Sequence, residues 1–262
     1  MNARGDRPAV LVTRPAEDAE RWVAALADRG WRAIVYPCLA IEPLDGPELR
    51  AALRSALDGA AVLALTSPRA VERVAALLDG AAPPPVTRIA AVGHATADAA
   101  RSAFGRVDLV PARETGDALA ALLREDPQLA AGGRVVAPGA DRARRALESA
   151  LAPRGVDVVR LAVYRTVPVA PQAAKDDPER VGAGAALLAS PSAVEGLDNR
   201  MRDAGRLRLV SIGPTTSAAI RARGWRVAAE ASRPGLEEMI DALERACGVT
   251  ARGDRRARRD MR

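Results

Sequence analysis

Short apolar runs alternate with amphipathic stretches along most of this chain. The runs are rich in Val, Leu, Ile and Ala, and the stretches between them repeat apolar positions at helical spacing. Strands are predicted at 9–13, 32–37, 61–66, 88–92, 107–110, 134–137, 156–163, 185–189, 208–212 and 226–229. Helices are predicted at 16–29, 47–57, 68–78, 95–103, 116–125, 140–152, 191–202, 214–222 and 235–246. Strands that alternate with helices indicate parallel sheets covered on both faces, a doubly wound α/β architecture.

The pattern occurs twice, at an offset of about 120 residues. Gly93 and Thr96 in the first half correspond to Gly213 and Thr216 in the second. Three further pairs of segments correspond in the same way: 66–68 with 189–191, 11–15 with 135–139, and 30–37 with 155–164. A repeat over several elements predicts two similar domains. We expect the functional site in the cleft between them.

Two connections have a different character from the rest. Segments 37–43 and 164–171 each follow the second strand of their half, contain prolines and lack a helical pattern. We therefore expect the chain to cross between the domains at these segments. The first domain is then discontinuous, comprising 1–38 plus 168–247, and the second covers 41–164. Residues 248–262 lack apolar periodicity and are expected to form a disordered basic tail.

Composition excludes several classes of protein. Aromatic residues make up only 2% of the 262 residues, so the cores are expected to consist of Val, Leu and Ala. Cys38 and Cys247 suggest no disulfide framework. Because His94 is the only histidine, we expect neither a zinc site nor a Ser-His-Asp triad. The N-terminus does not resemble a signal peptide and no run is apolar enough to span a membrane, so we expect a soluble cytoplasmic protein.

The net charge of +6 is concentrated at one end of the chain. Residues 252–262 contain six Arg and two Asp, which together supply +4 of that charge. The remainder of the chain carries about +2, which does not favour a nucleic-acid surface.

The turns from strand to helix share a composition. Most place a small hydroxyl or glycine beside a proline, and one matching turn, at Gly93 and Thr96, lacks the proline. The proline-containing turns are Thr13–Arg14–Pro15, Ser67–Pro68, Ser190–Pro191 and Gly213–Pro214–Thr215–Thr216. Each can be a helix cap, or its free N–H groups can bind an anion. Several such turns together favour a ligand with several carboxylates. The chain contains neither a P-loop motif nor GxGxxG, so no nucleotide cofactor is expected.

In this order, the turns resemble those of the uroporphyrinogen-III synthase family. The resemblance runs from Val10 to about Leu243, and no single motif in it is as specific as the set in register. The segments that carry it are LVTRP (11–15), YPCLAIEP (36–43), LTSPRAV (65–71), AVGHATA (91–97), VYRT (163–166), ASPSAV (189–194) and SIGPTTSAAI (211–220).

The resemblance implies a fold and a reaction. Two α/β domains would be joined by a two-stranded β ladder, with the active site in the inter-domain cleft. The enzyme would be a hydro-lyase that closes the linear tetrapyrrole hydroxymethylbilane with inversion of ring D and loss of water. It would use no metal and no organic cofactor. We expect a monomer that can receive its substrate from hydroxymethylbilane synthase.

The resemblance also assigns roles to residues. Tyr164 would hydrogen-bond the departing hydroxyl, although it could instead anchor the crossover strand. Thr96 and Thr216 would face the substrate, or serve only as caps. The remaining substrate-binding candidates are Arg14, Ser67, Gly93, Arg142, Ser190, Gly213 and Thr215. Residues 137–142 depart from the commoner family pattern, which bears on the assignment of Arg142.

Two other classes of function are compatible with the same features. A non-catalytic two-domain protein that binds a polycarboxylate or a tetrapyrrole would keep the turns but would not need Tyr164. A regulatory module could instead use its Arg-rich tail to contact nucleic acid. An assay of the product isomer distinguishes these alternatives from the synthase.

Overall fold

The computed structural model describes residues 7–129, 132–142 and 145–249. The chain folds into two compact α/β units. Unit 1 comprises the described residues of 1–40 and 167–262, and unit 2 comprises those of 41–166. Within the described ranges, no helix is long and apolar enough to cross a membrane. The predicted tail, apart from Gly248 and Val249, lies outside the described residues.

Strands and helices alternate along both units. The strands are β1 (Ala9–Val12), β2 (Ala33–Val35), β3 (Leu39–Pro43), β4 (Val62–Leu65), β5 (Arg88–Ala91), β6 (Gly133–Ala140), β7 (Val156–Pro168), β8 (Ala183–Leu188), β9 (Arg208–Ser211) and β10 (Val227–Glu230). The helices are α1 (Glu20–Asp28), α2 (Pro47–Leu57), α3 (Pro68–Leu77), α4 (His94–Phe104), α5 (Gly116–Arg124), α6 (Ala146–Leu151), α7 (Pro178–Val181), α8 (Pro191–Arg200), α9 (Pro214–Ala222) and α10 (Leu236–Ala246).

Unit 1 contains a five-stranded parallel sheet in the order β10-β9-β8-β1-β2. All four residues of β1 are buried, because helices cover both faces of a central parallel strand. One apolar cluster includes Trp22, Leu26 and Met239. A second cluster includes Leu197 and Ile220. The sheet thus separates two layers of core, as the predicted architecture requires.

Unit 2 contains a sheet in the order β3-β7-β6-β4-β5. The pairs β7-β6, β6-β4 and β4-β5 are parallel. Strand β3 runs antiparallel to β7, because the N–H of Leu44 donates to the carbonyl of Val163 at 3.0 Å and that of Val169 donates to Cys38 at 3.1 Å. Both passages of the chain from one unit to the other lie within these two strands.

Several element predictions were wrong in extent. The predicted strand 107–110 is reduced to one bridge, between Ala90 and Leu109. Its pairing is interrupted because the Asp108 carboxylate, as well as backbone groups, bonds Ile89 at 2.6 Å. The predicted helix 140–152 begins only at Ala146, because β6 continues to Ala140 beside β7.

Candidate active site

The sequence-predicted site residues lie at the carboxyl edges of the two sheets, where ligands of open α/β sheets bind. In unit 2 they follow β4, β5 and β6 or lie on β7 beside the end of β6. They are Ser67, Gly93, Thr96, Arg142 and Tyr164. In unit 1 they follow β1, β8 and β9. They are Arg14, Ser190, Gly213, Thr215 and Thr216. The fold therefore gathers half of the predicted set in each unit.

Ser67 and Ser190 are matched helix caps. Ser67 precedes α3 and accepts a hydrogen bond from the N–H of Ala70 at 3.1 Å. Ser190 precedes α8 and accepts one from the N–H of Ala193 at the same distance. In both helices a proline follows the cap, because its fixed φ suits the first helical residue and its missing N–H is not needed there. The other amides of each first turn point away from the helix and suit an anion.

Gly93 and Gly213 begin the second matched pair, α4 and α9. Neither glycine offers a side chain, and neither helix has a side-chain cap bond. Thr96 and Thr216 lie in the first turns of these helices and are only 3% and 2% exposed. The N-cap of each helix is the glycine three residues earlier, so neither threonine is the cap. Their hydroxyls have no hydrogen-bond partner among the described residues, which leaves both available to a ligand.

Tyr164 lies on β7 and is 8% exposed. Its hydroxyl is 3.4 Å from the hydroxyl of Ser67, at the outer limit of a hydrogen bond. The guanidinium carbon of Arg69 lies 5.4 Å from the centre of the Tyr164 ring. Tyr164 is thus held by its ring rather than by a short bond of its phenol, and the phenol remains able to bond a ligand.

The two predicted arginines differ in how firmly they are placed. Arg14 follows β1, pairs with Asp18 at 3.6 Å and lies 5.5 Å from the ring centre of Trp22. Its buried Nε has no partner in the described part of the chain. The Arg142 side chain follows β6, is 86% exposed and is 3.9 Å from Asp141. Only Arg14 is fixed by surrounding side chains.

Thr215 is the second residue of α9 and is exposed, unlike its neighbour Thr216. Its backbone N–H belongs to the first turn, where the amides lack partners within the helix. Thr215 therefore has a hydroxyl and an amide at the carboxyl edge of the unit 1 sheet.

Glu114 is a feature of the site that the sequence analysis missed. Its carboxylate accepts from the backbone N–H of His94 at 3.3 Å and lies 2.6 Å from the ring Nδ1 of His94. It also rests against Gly93, where an added Cβ would come within 2.6 Å of Glu114 Oε2. The bond with the His94 ring, followed by the bond with its N–H, lowers the pKa of Glu114. An internal carboxylate therefore occupies the N-terminus of α4.

Arg69 was also missed, although it stands within a segment that the sequence analysis used. It is in the first turn of α3, where the positive end of the helix dipole disfavours a cation. An arginine directly after the Ser67–Pro68 turn stands where a helix disfavours a positive charge, and this feature of the sequence could have identified Arg69 as a candidate. Its contact with the Tyr164 ring adds positive charge beside the phenol.

The arrangement favours recognition of anions over acid–base or metal chemistry. Among the described residues, no three side chains of His, Cys, Asp and Glu are grouped to hold a metal ion. Helix N-termini, two free threonine hydroxyls and Arg14 can all bind carboxylates.

The fold and these turns define a two-unit α/β protein whose helix N-termini at the carboxyl edges of its sheets suit acidic ligands. The family model described as "Uroporphyrinogen-III synthase HemD" matches residues 20–241. The chain therefore belongs to the uroporphyrinogen-III synthase family, which confirms the resemblance noted above.

Individual relatives share this description. The chloroplastic uroporphyrinogen-III synthase of Oryza sativa subsp. japonica is 27% identical over 250 residues, which cover 90% of this chain and 80% of the rice protein. A mutant uroporphyrinogen III synthase from Thermus thermophilus is similar in structure, with a TM-score of 0.48 and 22% identity over 93% of this chain and 100% of that one. The uroporphyrinogen-III synthetase from Helicobacter pylori 26695 matches with a TM-score of 0.48 and 15% identity, over 93% of this chain and 100% of that one.

Proposed function

We propose that this protein is an enzyme that cyclises hydroxymethylbilane to uroporphyrinogen III, with inversion of ring D and release of water. The reaction class is that of a carbon–oxygen lyase. The family membership supports an enzyme of tetrapyrrole biosynthesis. The observation that carries the proposal is the pair of buried threonines, Thr96 and Thr216, whose hydroxyls have no partner among the described residues at matching helix starts.

The substrate explains why one protein would need several sites for anions. Hydroxymethylbilane carries eight carboxylates, as the resemblance implies, and a single phosphate or carboxylate would need only one helix end. Each helix N-terminus contributes roughly 0.3–1 kcal/mol toward a bound anion. The first turns of α3, α8 and α9 provide such positions, whereas Glu114 occupies that of α4. Arg14 adds a charged donor in unit 1.

The chemistry proposed here requires positioning more than proton transfer by a strong acid or base. Ring A loses its hydroxyl as water and becomes an azafulvene cation. Ring D attacks through its substituted α-carbon, and the spiro intermediate fragments and recloses as the type III isomer. The bilane can cyclise unaided to the symmetric type I isomer. The protein must therefore hold the geometry that favours the spiro route.

Tyr164 is the residue we propose to assist loss of the hydroxyl. Its phenol can donate a hydrogen bond to the leaving oxygen, where negative charge develops. The contact with Ser67 at 3.4 Å is long enough to be replaced by a substrate bond. The Arg69 guanidinium lies at the face of the Tyr164 ring and helps to hold the ring in place.

The deciding experiment supplies hydroxymethylbilane to the purified protein and separates the product isomers. We expect type III product in excess of the type I product that forms without protein. A binding protein would slow or leave unchanged the type I reaction and would give no excess of type III. That result would favour the alternative of a non-catalytic tetrapyrrole-binding protein.

Three further aspects belong to the proposal. We propose that the protein acts as a monomer in the cytoplasm and receives its substrate from hydroxymethylbilane synthase. The rice relative is described as chloroplastic, so fractionation of the native host tests the location of this chain directly. Size-exclusion chromatography with light scattering tests the monomer, and a coupled assay with the preceding enzyme tests the hand-over.

A further inference from the structure

A cavity of about 390 Å³ lies at the opposite edge of the unit 1 sheet from the candidate active site. Its lining includes Gly205, Arg206, Arg208, Arg226, Ala228 and Ala246. Arg208 is the first residue of β9, and Arg226 directly precedes β10. Because these strands are parallel, both arginines lie at the amino edge of the sheet, whereas Gly213 and Thr216 follow its carboxyl edge.

The register of the sheet places two of these cations side by side. Val227 pairs with Leu209, so Arg226 and Arg208 lie next to each other, one residue before that pair. Paired residues of neighbouring strands project to the same face, and like charges there repel. Neither arginine has a carboxylate partner among the described residues. The fold thus holds two uncompensated guanidinium groups beside one cavity.

The positive potential at the cavity comes from Arg208 and Arg226 rather than from Arg206. Arg206 also lines the cavity, but it is 3.7 Å from both Glu179 and Asp203, which compensate its charge. The cavity lining contains no acidic residue.

We infer that this cavity is a binding site for a small phosphoryl anion such as pyrophosphate. Guanidinium groups match the oxygens of phosphates in planar, two-point hydrogen bonds. Two adjacent arginines can hold two tetrahedral groups, or two faces of one group. The volume is within the range of small-ligand sites. The site does not depend on the proposed synthase activity, because it shares no residue with the turns that bind the tetrapyrrole.

The test is a calorimetric titration of the full chain with pyrophosphate, inorganic phosphate or citrate, at constant ionic strength in a buffer free of other oxyanions. We expect saturable binding of one pyrophosphate per chain, weaker binding of phosphate, and weaker binding of citrate. The double variant Arg208→Gln with Arg226→Gln should weaken pyrophosphate binding at least about tenfold. Without added anion, this variant should produce type III isomer at the wild-type rate.

The matched control removes two arginines from the surface of unit 2. Arg101→Gln with Arg124→Gln makes the same change in net charge, and both side chains are more than half exposed in local ion pairs. It should change pyrophosphate affinity less than about twofold. If the double variant at the cavity fails to fold, the single variants Arg208→Gln and Arg226→Gln should each weaken binding about threefold or more.

Three results would overturn the inference. They are an absence of saturable pyrophosphate binding, an equal loss of affinity in the cavity and control variants, and citrate binding as tight as that of pyrophosphate. A failure of the isomer assay alongside normal pyrophosphate binding would overturn the proposed function and leave this site intact.

Discussion

The N-termini of α4 and α9 have the same local structure, but they differ in the side chain that contacts the glycine cap. Residues 91–100 and 211–220 have the same succession of buried, partly buried and exposed positions, and each helix has a glycine cap and a buried threonine in its first turn. On α4 the Glu114 carboxylate rests against Gly93. A Cβ added at Gly213 would have no atom of the described residues within 4 Å, apart from those of its chain neighbours.

The difference comes from one position in the repeat. Glu114 stands two residues before Gly116, at the start of α5, and Arg233 stands two residues before Gly235, at the start of α10. Arg233 pairs with Glu238 and is mostly exposed. The repeat therefore preserves the backbone that can bind an anion, while single side chains decide whether that position is open. The two units are equivalent in fold and unequal as binding surfaces.

The largest effect on stability is expected from a substitution at Gly196, where a helix of unit 1 packs directly against the backbone and its counterpart in unit 2 does not. Six residues after its serine cap, α8 has Gly196, where an added Cβ would lie 1.7 Å from the carbonyl oxygen of Cys38. At the same place in α3, Arg73 bonds the carbonyls of Leu44 at 2.9 Å and Val163 at 3.3 Å. Gly196→Ala should therefore lower the free energy of unfolding by about 3 kcal/mol or more. Denaturant titration measures this change.

Gly116→Ala is the matched control for Gly196→Ala. Gly116 begins α5, an added Cβ there meets nothing within 4 Å, and alanine favours a helix. Its stability should be unchanged or slightly higher. A stability of Gly196→Ala equal to that of this control would mean that α8 does not pack against the backbone of Cys38.

The two tyrosines offer the next contrast. The Tyr36 hydroxyl donates to Asp176 at 2.8 Å, and burial, followed by this bond, raises the pKa of Tyr36. Among the described residues, the Tyr164 hydroxyl has only the long contact with the Ser67 hydroxyl at 3.4 Å. Tyr164→Phe should lower the rate of type III formation about tenfold, equivalent to ~1.4 kcal/mol, with an unchanged melting temperature. Tyr36→Phe should keep the rate and lose about 1–2 kcal/mol of stability.

Isomer assays and thermal unfolding of both tyrosine variants distinguish the two roles. An unchanged rate in Tyr164→Phe would remove that residue from the mechanism. A loss of stability there as large as in Tyr36→Phe would favour the alternative in which Tyr164 anchors the crossover strand.

The serine caps should behave alike. Ser67→Ala and Ser190→Ala each remove one bond to a first-turn amide, so each should lower the free energy of unfolding by about 1 kcal/mol. The isomer rate should change only a few-fold, because the backbone amides remain. Complete loss of activity in either variant, with the fold intact, would contradict an amide-based site and indicate a direct chemical role for that hydroxyl.

The smallest effect is expected at Glu114. Glu114→Gln removes the internal negative charge from the N-terminus of α4, so KM for the bilane should fall about two- to fivefold. Glu125→Gln, on the exposed end of α5, is the control and should leave KM unchanged. A rise in KM with Glu114→Gln would mean that Glu114 supports the substrate rather than competes with it.

The pKa of Glu114 gives this variant a pH signature. The pKa is lower in the folded protein than the usual glutamate value, so ionised Glu114 stabilises the fold above the unfolded-state pKa. That contribution is lost as the pH falls through the lowered folded pKa. The difference in melting temperature between wild type and Glu114→Gln should therefore be present at pH 7 and vanish in acid.

The sequence predicted elements better than it predicted contacts. The repeated turns placed Ser67 and Ser190 correctly at helix starts, because cap chemistry is local to a few residues. The Glu114–His94 contact joins residues that are 20 positions apart, and the pattern of apolar and polar positions does not predict such a contact. The strand at 107–110 failed for a related reason, since its apolar run is paired at only one residue. Thr96 and Thr216 were placed on the right helices, but their burial required coordinates.

The passages of the chain through β3 and β7 also determine the order in which the protein can form during translation. Residues 41–166 leave the ribosome as a complete unit, whereas β1 cannot meet β8 until residues 183–188 have been made. The apolar segment Ala9–Val12 must therefore wait, with one edge unsatisfied, while the inserted unit folds. A nascent chain stalled once residue 168, the end of β7, has left the ribosome should yield a protease-resistant core from unit 2 and a cleavable N-terminal segment.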